Sequence, residues 1–391
     1  MTAAIILPPE YGTLAPPPVG ASYLDPAFGT AITRETQAAM GSWIGTEYPS
    51  VDASDLGTLD FLLVEADHFG LWPAPMVDLP TKPASCEPRW SRTDPYSFYF
   101  HDPGGNSLLS CDVSAGEVAT VVQFIDYVSI SIGNGEGDVS EDGNHLAIIG
   151  TLPGGGWEVF VYNLATGVQG SILSVPDAQP IDSAYITPDN NVLISWEAGG
   201  TARFQGMELF DGNMNFLRQI ANANGHKGTA RDAAGKECLI WTNSDENPAT
   251  LSAFPNGIVS IDLATGNQKG LLSLDWSLAV HISARPGLDF AIVETYAGPT
   301  ITPESGWAAY TNELLQVPLD GSPVTRLCHH RSVQGSYNAQ PKATISRDGK
   351  RLLFSSNFNQ QPANPDYIDV YSVGVKPLPV APRHSRALRR R

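Results

Sequence analysis

The sequence predicts an all-β chain that folds as a seven-bladed β-propeller closed by a strand from its N-terminus. Three observations predict this fold: a turn-and-strand pattern recurs, glycine and proline are abundant, and an isolated strand-like segment precedes the repeats. The chain has 391 residues with 37 glycines and 31 prolines, a composition that favours many turns over long helices. This length suits two ordinary domains or one large domain built from repeats.

The recurring unit is a polar turn followed by a short apolar strand. Successive turns of the five clear copies end 47, 45, 52 and 62 residues apart. Two weaker copies, near Gly57 and Pro95, bring the number of units to seven. A unit of about 40–50 residues with four short strands is typical of a propeller blade. The clear copies are SEDGNHLAIIG, TPDNNVLISW, DAAGKECLIW, ARPGLDFAIVE and SRDGKRLLFSS, with turns ending at Gly143, Asn190, Gly235, Gly287 and Gly349.

The last repeat lacks an outer strand, because the final unit stops at YIDVYSV. The segment GTAITRETQ near the N-terminus is an isolated strand that can supply it. Such a pairing joins the first and last blades and removes an open sheet edge. We therefore expect an N-terminal arm over residues 1–21, a propeller over 22–375 and a Pro-rich, basic tail over 376–391.

Charge and hydropathy argue against several classes of protein. The net charge of −18 disfavours a nucleic-acid surface, because phosphate binding needs clustered Lys and Arg. No apolar run approaches the roughly 18 residues of a membrane span, and the N-terminus lacks the basic segment of a signal peptide. We expect a soluble chain without nucleic-acid or membrane partners, cytoplasmic as given, or periplasmic or secreted if a signal peptide was removed. The oligomeric state stays open.

The cysteines predict neither a disulfide framework nor a zinc site. They are widely spaced, and none forms a CxxC pair. Their chemistry therefore gives no indication of function. The four are Cys86, Cys111, Cys238 and Cys328.

Polar residues begin the innermost strands, which border the central channel of a propeller. His226 and Gln340 each lie nine residues before the end of their turn, and His281 lies six before a turn of different shape. Three consecutive blades thus present two imidazoles and an amide at the channel mouth, and His330 could join them. Such groups suit Mn, Ca or Zn, or the histidines could act as acid and base. Polar residues are also expected at a water-filled mouth that binds nothing.

Basic residues are scarce, so their positions matter. Lys227, Arg331 and Lys342 lie in the stretches that carry the histidines, where they could attract an anionic ligand. Tryptophan rings can stack on sugars, although most pack in the core or on a rim. The candidate substrate-binding residues are Lys227, Arg89, Trp90 and Asp138.

The block QPKATISRDGKRLLFSSN, with HIS one blade earlier, resembles the seven-bladed oligogalacturonate lyases and the wider group of propellers with TolB-type SPDG repeats. The repeat resemblance covers nearly the whole chain and marks the fold, whereas the lyase resemblance covers about the last third. The lyase resemblance implies a manganese ion held by histidines and a glutamine, and His281 and Gln340 match in kind and blade position. The chain departs from the lyase pattern just after the glutamine, where Lys342 to Ile345 replace further histidines. The segments SYLDPAFGTAITRET and EPRWSRTDP also resemble bacterial propellers without an assigned activity.

Two functions follow as alternatives. The first is a lyase that performs β-elimination on a uronate-containing oligo- or polysaccharide, which requires a neutralised carboxylate, a base and an acid. The second is a non-catalytic propeller that binds a glycan or a protein, with dispensable histidines. The lyase hypothesis expects a divalent metal (Mn, Ca or Zn) or no cofactor, and an acidic oligosaccharide as partner. Its metal candidates are His281, Gln340, His226 and His330, and its catalytic candidates are Lys342, Arg331, Tyr337 and His226.

Overall fold

The described part of the chain is built from antiparallel strands. It contains no α-helix, and none of its segments forms a helix long and apolar enough to cross a membrane. The strands form seven sheets, five of them four-stranded. A computed structural model describes residues 3–36, 88–102, 104–133, 137–176, 179–242, 254–333, 339–358 and 368–378, and the backbone of 61–64 and 69–72.

The strands follow one another along the chain in a regular meander. The first strands are β1 (Ser22–Leu24), β2 (Ala31–Arg34), β3 (Phe61–Val64) and β4 (Phe69–Trp72). The next two sheets contain β5 (Arg89–Trp90), β6 (Ser97–His101), β7 (Ser107–Asp112), β8 (Glu117–Gln123), β9 (Ser129–Ser131), β10 (His145–Thr151), β11 (Trp157–Asn163) and β12 (Val168–Val175). Two more contain β13 (Ile181–Ile186), β14 (Val192–Trp196), β15 (Met207–Phe210), β16 (Phe216–Ala221), β17 (Lys227–Arg231), β18 (Glu237–Thr242), β19 (Gly257–Asp262) and β20 (Gln268–Ser273). The last are β21 (Leu278–Ala284), β22 (Phe290–Ala297), β23 (Glu313–Pro318), β24 (Thr325–His329), β25 (Thr344–Ile345), β26 (Arg351–Ser356) and β27 (Asp369–Gly374).

The predicted all-β class is confirmed, and sheets of four consecutive antiparallel strands are the pattern of propeller blades. The number of blades stays a prediction, as does the closure of the ring. The repeat near Gly57 lies outside the described residues. The division into arm, propeller and tail also stays a prediction.

The repeated turns connect the first strand of each sheet to the second. The residues that end the five clear turns all have positive φ values, between 60° and 93°. Glycine and asparagine tolerate this left-handed conformation better than other residues. In the last turn, the Ser346 hydroxyl donates to Asp348 at 2.8 Å, and the Lys350 N–H donates to the same carboxylate at 3.0 Å. Local polar bonds therefore build the turn that the sequence pattern predicts.

The middle strands of the β21–β24 sheet are apolar on both faces because this sheet packs between two others. In β22, Ala291 and Val293 join a cluster with Ile240 of β18. The alternate residues Phe290 and Ile292 join a second cluster with residues of β25 and β26. Successive side chains of a strand point to opposite faces. One strand thus contributes to two hydrophobic cores.

The N-terminal strand β2 pairs with β27 and extends the last sheet. Ile32 lies opposite Val373, and its side chain is fully buried. The Arg34 guanidinium contacts the Asp369 carboxylate at 2.7 Å, and the Thr36 hydroxyl donates to the same group at 3.1 Å. Two distant parts of the chain are therefore joined by backbone pairing, apolar packing and an ion pair.

Substitution of Ile32 by alanine should lower the free energy of unfolding by about 2–5 kcal/mol, because it leaves a cavity between β2 and the last sheet. Urea unfolding monitored by tryptophan fluorescence measures this change. The control is Leu24→Ala in β1, where the side chain is 66% exposed. It should change stability by less than about 0.5 kcal/mol. Equal small effects for both variants would show that β2 contributes little to the fold.

Candidate functional site

A buried histidine–glutamate pair lies at the centre of the candidate site. The register of β21 and β22 places His281 directly opposite Glu294. The His281 Nδ1 lies 2.6 Å from Glu294 Oε1, and the two side chains are 2% and 0% exposed. The second oxygen, Oε2, accepts the Ala343 N–H at 2.7 Å. Because a carboxylate only accepts hydrogen bonds, Nδ1 carries the proton and Nε2 is directed away from Glu294.

Two further rings pack against His281. The His226 ring lies edge-on, with 4.8 Å between ring centroids, and the Tyr296 ring lies at 4.9 Å. His226 is half-buried whereas His281 is buried, so His226 is the more accessible of the two rings. Tyr296 is two residues beyond Glu294 in β22 and therefore shares its face.

Gln340 contributes a buried acceptor three residues before Ala343, whose N–H binds Glu294. Its side chain is half-buried, and its Oε1 has no hydrogen-bond partner among the described residues. The backbone on either side is fixed, because Ser332 donates to the Ala339 carbonyl at 2.5 Å and Ser355 N–H donates to the Pro341 carbonyl at 2.7 Å. A buried acceptor without a partner costs free energy unless water, an ion or a ligand satisfies it.

The lysines in the same stretches are buried. Lys227 Nζ contacts the Asp182 carboxylate at 3.3 Å and the Gly225 carbonyl at 3.2 Å, and it lies 5.3 Å from the centre of the Tyr185 ring. Its side chain is fully buried, whereas that of Asp182 is 32% exposed. Lys342 is 2% exposed and adopts a φ of 46°, which is unusual for a residue other than glycine. Both lysines are therefore part of the buried structure, and the charge of Lys227 is paired with a carboxylate.

His330 uses both ring nitrogens for backbone bonds. Its Nδ1 accepts the Ser332 N–H at 2.9 Å, and its Nε2 donates to the Thr295 carbonyl at 3.0 Å. Neither nitrogen is available to a metal in this arrangement. Arg331 is also buried and donates to the Pro9 carbonyl at 3.0 Å, so it holds the N-terminal segment. The His330 and Arg331 side chains therefore bind backbone groups of the protein. The sequence analysis had made His330 a candidate metal ligand and Arg331 a candidate for an anionic ligand.

The remaining predicted site residues lie elsewhere. Trp90 is fully buried against Phe98, so its ring presents no face to a sugar. Arg89 is buried and donates to backbone carbonyls, including that of Ile132 at 3.1 Å. Asp138 lies near the turn that follows β9, at the other end of the inner strands. Tyr337 lies outside the described residues.

The described donors only partly fit a divalent metal. Two imidazoles and one amide oxygen are present, and the unsatisfied Oε1 of Gln340 suits an ion. However, no three His, Cys, Asp or Glu side chains gather into a possible metal site within the described ranges. Glu294 already accepts two hydrogen bonds. The set of metal ligands is therefore incomplete.

Sequence reasoning missed Glu294 and Tyr296. It sought the site on the innermost strands and in the segment around His330, whereas Glu294 and Tyr296 belong to the second strand of their sheet. One signal was present in the sequence. The strand FAIVETYA is almost entirely apolar except for its glutamate, and a buried carboxylate needs a partner.

Comparison with known proteins supports the fold. No protein-family model and no curated protein sequence matches the chain. An oligogalacturonate lyase from Vibrio parahaemolyticus matches with a TM-score of 0.64 and 12% identity, over 91% of this chain and 96% of the other. An oligogalacturonate lyase in complex with manganese matches with a TM-score of 0.62 and 15% identity, over the same shares. TolB from Acinetobacter baumannii matches 70% of this chain and 63% of its own, with 15% identity and a TM-score of only 0.37. At these identities the two lyase structures show the fold alone, which is that of a propeller.

Acid should destabilise the fold through two buried histidines. Burial lowers the pKa of both His101 and His330 to about 4. The unfolded chain then binds protons that the folded chain does not, so stability is lost as the pH falls from about 6.5 through 4, by up to about 3 kcal/mol per histidine. Urea unfolding at a series of pH values measures the loss.

The variant His330→Gln should lose less stability than the wild type over this pH range, because one of the two protonations is removed. The matched control is His145→Gln, at a half-buried histidine beside a turn. This control should keep the wild-type pH dependence. If His330→Gln kept it as well, burial of His330 would not be the cause.

Proposed function

We propose that this chain is a lyase that cleaves a uronate-containing oligosaccharide by β-elimination at the channel mouth. The observation that carries the proposal is the buried Glu294–His281 pair behind the half-buried His226. It occurs in a fold shared with oligogalacturonate lyases over 91% of the chain. We further infer that the seven sheets are seven blades and that β2 closes the ring.

The reaction removes the proton next to the uronate carboxylate and expels the oxygen on the neighbouring carbon. His226 takes the proton from C5, and the electrons of that bond form the C4–C5 double bond as the C4–O bond breaks. The leaving oxygen receives a proton from the Tyr296 hydroxyl. Tyr296 thus takes the catalytic role for which the sequence analysis named Tyr337. Proton transfer by such positioned groups contributes about 10²–10⁴-fold to a rate.

Glu294 and His281 are positioning residues in this mechanism. Glu294 fixes the His281 ring through Nδ1, and His281 packs against the edge of His226. Their combined negative charge and rigidity favour a protonated imidazolium on His226 in the transition state. Their burial excludes water from the side of His226 that faces the protein.

The substrate carboxylate needs positive charge to lower the cost of removing the adjacent proton. Lys227 and Lys342 are buried, so they add positive charge beneath the site without contacting the sugar, and the Gln340 amide binds the sugar. A divalent ion would supply the same neutralisation, held by His281 and Gln340, while His226 remained the base. One equivalent of metal should copurify with the untagged chain if the ion takes part. The variant His281→Ala should then lose that metal.

The variant His226→Gln should lower kcat/KM on an acidic oligosaccharide at least about 100-fold, because the proton acceptor is lost. The absorbance of the unsaturated product measures the rate on oligogalacturonate and on other uronate oligomers. His145→Gln, which lies at a repeated turn, is the control and should retain full activity. Equal activity in both variants would contradict the role of His226.

The variant Glu294→Gln should lower kcat and shift the acidic limb of the pH–rate profile to lower pH. Removal of the carboxylate withdraws negative charge from the histidines, so His226 becomes a weaker base. A purely structural role would reduce the amount of active enzyme without moving the profile. Active-site titration and unfolding curves of the same preparation separate the two results.

A binding function is the second candidate, and exposed apolar residues favour it. Ile125 is 80% exposed and Trp276 is 47% exposed. Both lie in segments that lead into the first strand of a sheet, as His226 does. Glycan binding without product, unchanged in His226→Gln, would favour this alternative over the lyase.

A further inference from the structure

The N-terminal segment, residues 3–9, lies against the β21–β24 sheet without joining it as a strand. No backbone–backbone hydrogen bond connects this segment to another described residue. Side chains of the sheet and its loops bind the segment's carbonyls instead, as they would bind a peptide ligand. The four donors form a cleft, and their bonds are Arg326 to the Ala4 carbonyl at 2.6 Å, Trp307 and His329 to the Ile6 carbonyl at 3.3 and 3.2 Å, and Arg331 to the Pro9 carbonyl at 3.0 Å.

The donors of this cleft are themselves held in place. Arg326 Nε donates to the Glu313 carboxylate at 2.5 Å, and its guanidinium lies 5.0 Å from the centre of the Tyr310 ring. The His329 backbone N–H donates to the Asp25 carboxylate at 2.9 Å. A cleft with fixed donors loses little conformational entropy when it binds a segment, so binding is favoured.

The cleft contacts the backbone and one proline of the segment. Pro8 is buried, whereas Ile5 is 58% exposed and Leu7 is 47% exposed. The Tyr11 ring packs edge-on against the Trp307 ring, with 5.5 Å between centroids. The segment AAIILPP carries no charged residue. The cleft therefore fits an extended, uncharged segment with a proline at the position of Pro8.

The residues after this segment turn the chain back through a strained conformation. The Thr13 and Leu14 N–H groups both donate to the Glu10 carbonyl at 3.0 Å. Glu10 has a φ of 56° and Gly12 a φ of 78°, a left-handed conformation that glycine adopts readily and glutamate does not. The Pro-rich linker LAPPPVG follows the turn, and such linkers are semi-rigid spacers. An extended conformation at Glu10 would remove the strain and carry the segment away from its own cleft.

We propose that two copies of this chain exchange residues 3–9, so that the N-terminal segment of each copy binds the cleft of the other. A second copy is the fitting occupant because the four donors are already spaced to match the carbonyls of this segment. Exchange keeps every one of these bonds and changes only the hinge at residues 10–12. Exchange of an identical element is a low-cost route to a dimer for this reason. The inference does not depend on the lyase proposal.

Sedimentation velocity of the full chain, after long incubation at a series of concentrations, measures the Kd of the dimer. We expect a dimer whose fraction rises with concentration. Glu10→Pro excludes a positive φ and should lower the Kd at least about tenfold, whereas Glu10→Gly relieves the closed turn and should raise it at least about tenfold. The Glu10 side chain is exposed. The control Glu10→Ala removes the same charge but keeps the strain, so its Kd should stay within about threefold of the wild type.

A synthetic peptide covers the case in which Glu10→Pro does not fold. An excess of the peptide AAIILPPEY, residues 3–11, should dissociate the wild-type dimer because it occupies both clefts. The same peptide with Pro8→Asp should leave the dimer intact, since it would place an unpaired charge at a buried position. A wild-type chain that stays monomeric at every concentration would overturn the proposal. A dimer that survives an excess of the first peptide, or that has the same Kd in Glu10→Gly and Glu10→Ala, would overturn it as well.

Discussion

The structure depends on the burial of both faces of each central sheet. Strands such as β14 and β22 have almost no exposed side chains, so neither face can be left to water. Each of these sheets therefore needs a neighbour on both sides. The hydrophobic effect drives this stacking at roughly 25 cal/mol per Å² of apolar surface buried. Extension of the last sheet by β2 follows the same constraint, because Ile32 covers apolar side chains of β26 and β27.

Double burial also restricts which polar groups the strands can hold. A carboxylate in such a strand must be paired, because an isolated buried charge is very costly. Glu208 receives the Trp196 indole N–H at 3.1 Å and Arg203 at 2.7 Å, and Glu313 binds Arg326. Glu294 obeys the same rule, and its partner is the imidazole of His281. A pairing required for stability thereby also orients the His281 ring against His226.

The two ends of the inner strands differ in chemistry. The end where the strands begin contains imidazoles, an amide and buried lysines, whereas the end where they stop contains arginines around Asp138. At both ends buried cations are paired with carboxylates, Lys227 with Asp182 and Arg285 with Asp138.

The sequence by itself determined the strand pattern and the turns. Each turn residue interacts with residues a few positions away, as Ser346 does with Asp348, so local chemistry is enough to predict it. It also indicated that His226, His281 and Gln340 lie in inner strands or just before them. Tertiary structure decided which side chains meet. The register of β21 and β22 places Glu294 opposite His281. The His330 ring binds the Thr295 carbonyl, and Trp90 is buried in the core. These contacts depend on the packing of residues distant in sequence, which a local pattern does not specify.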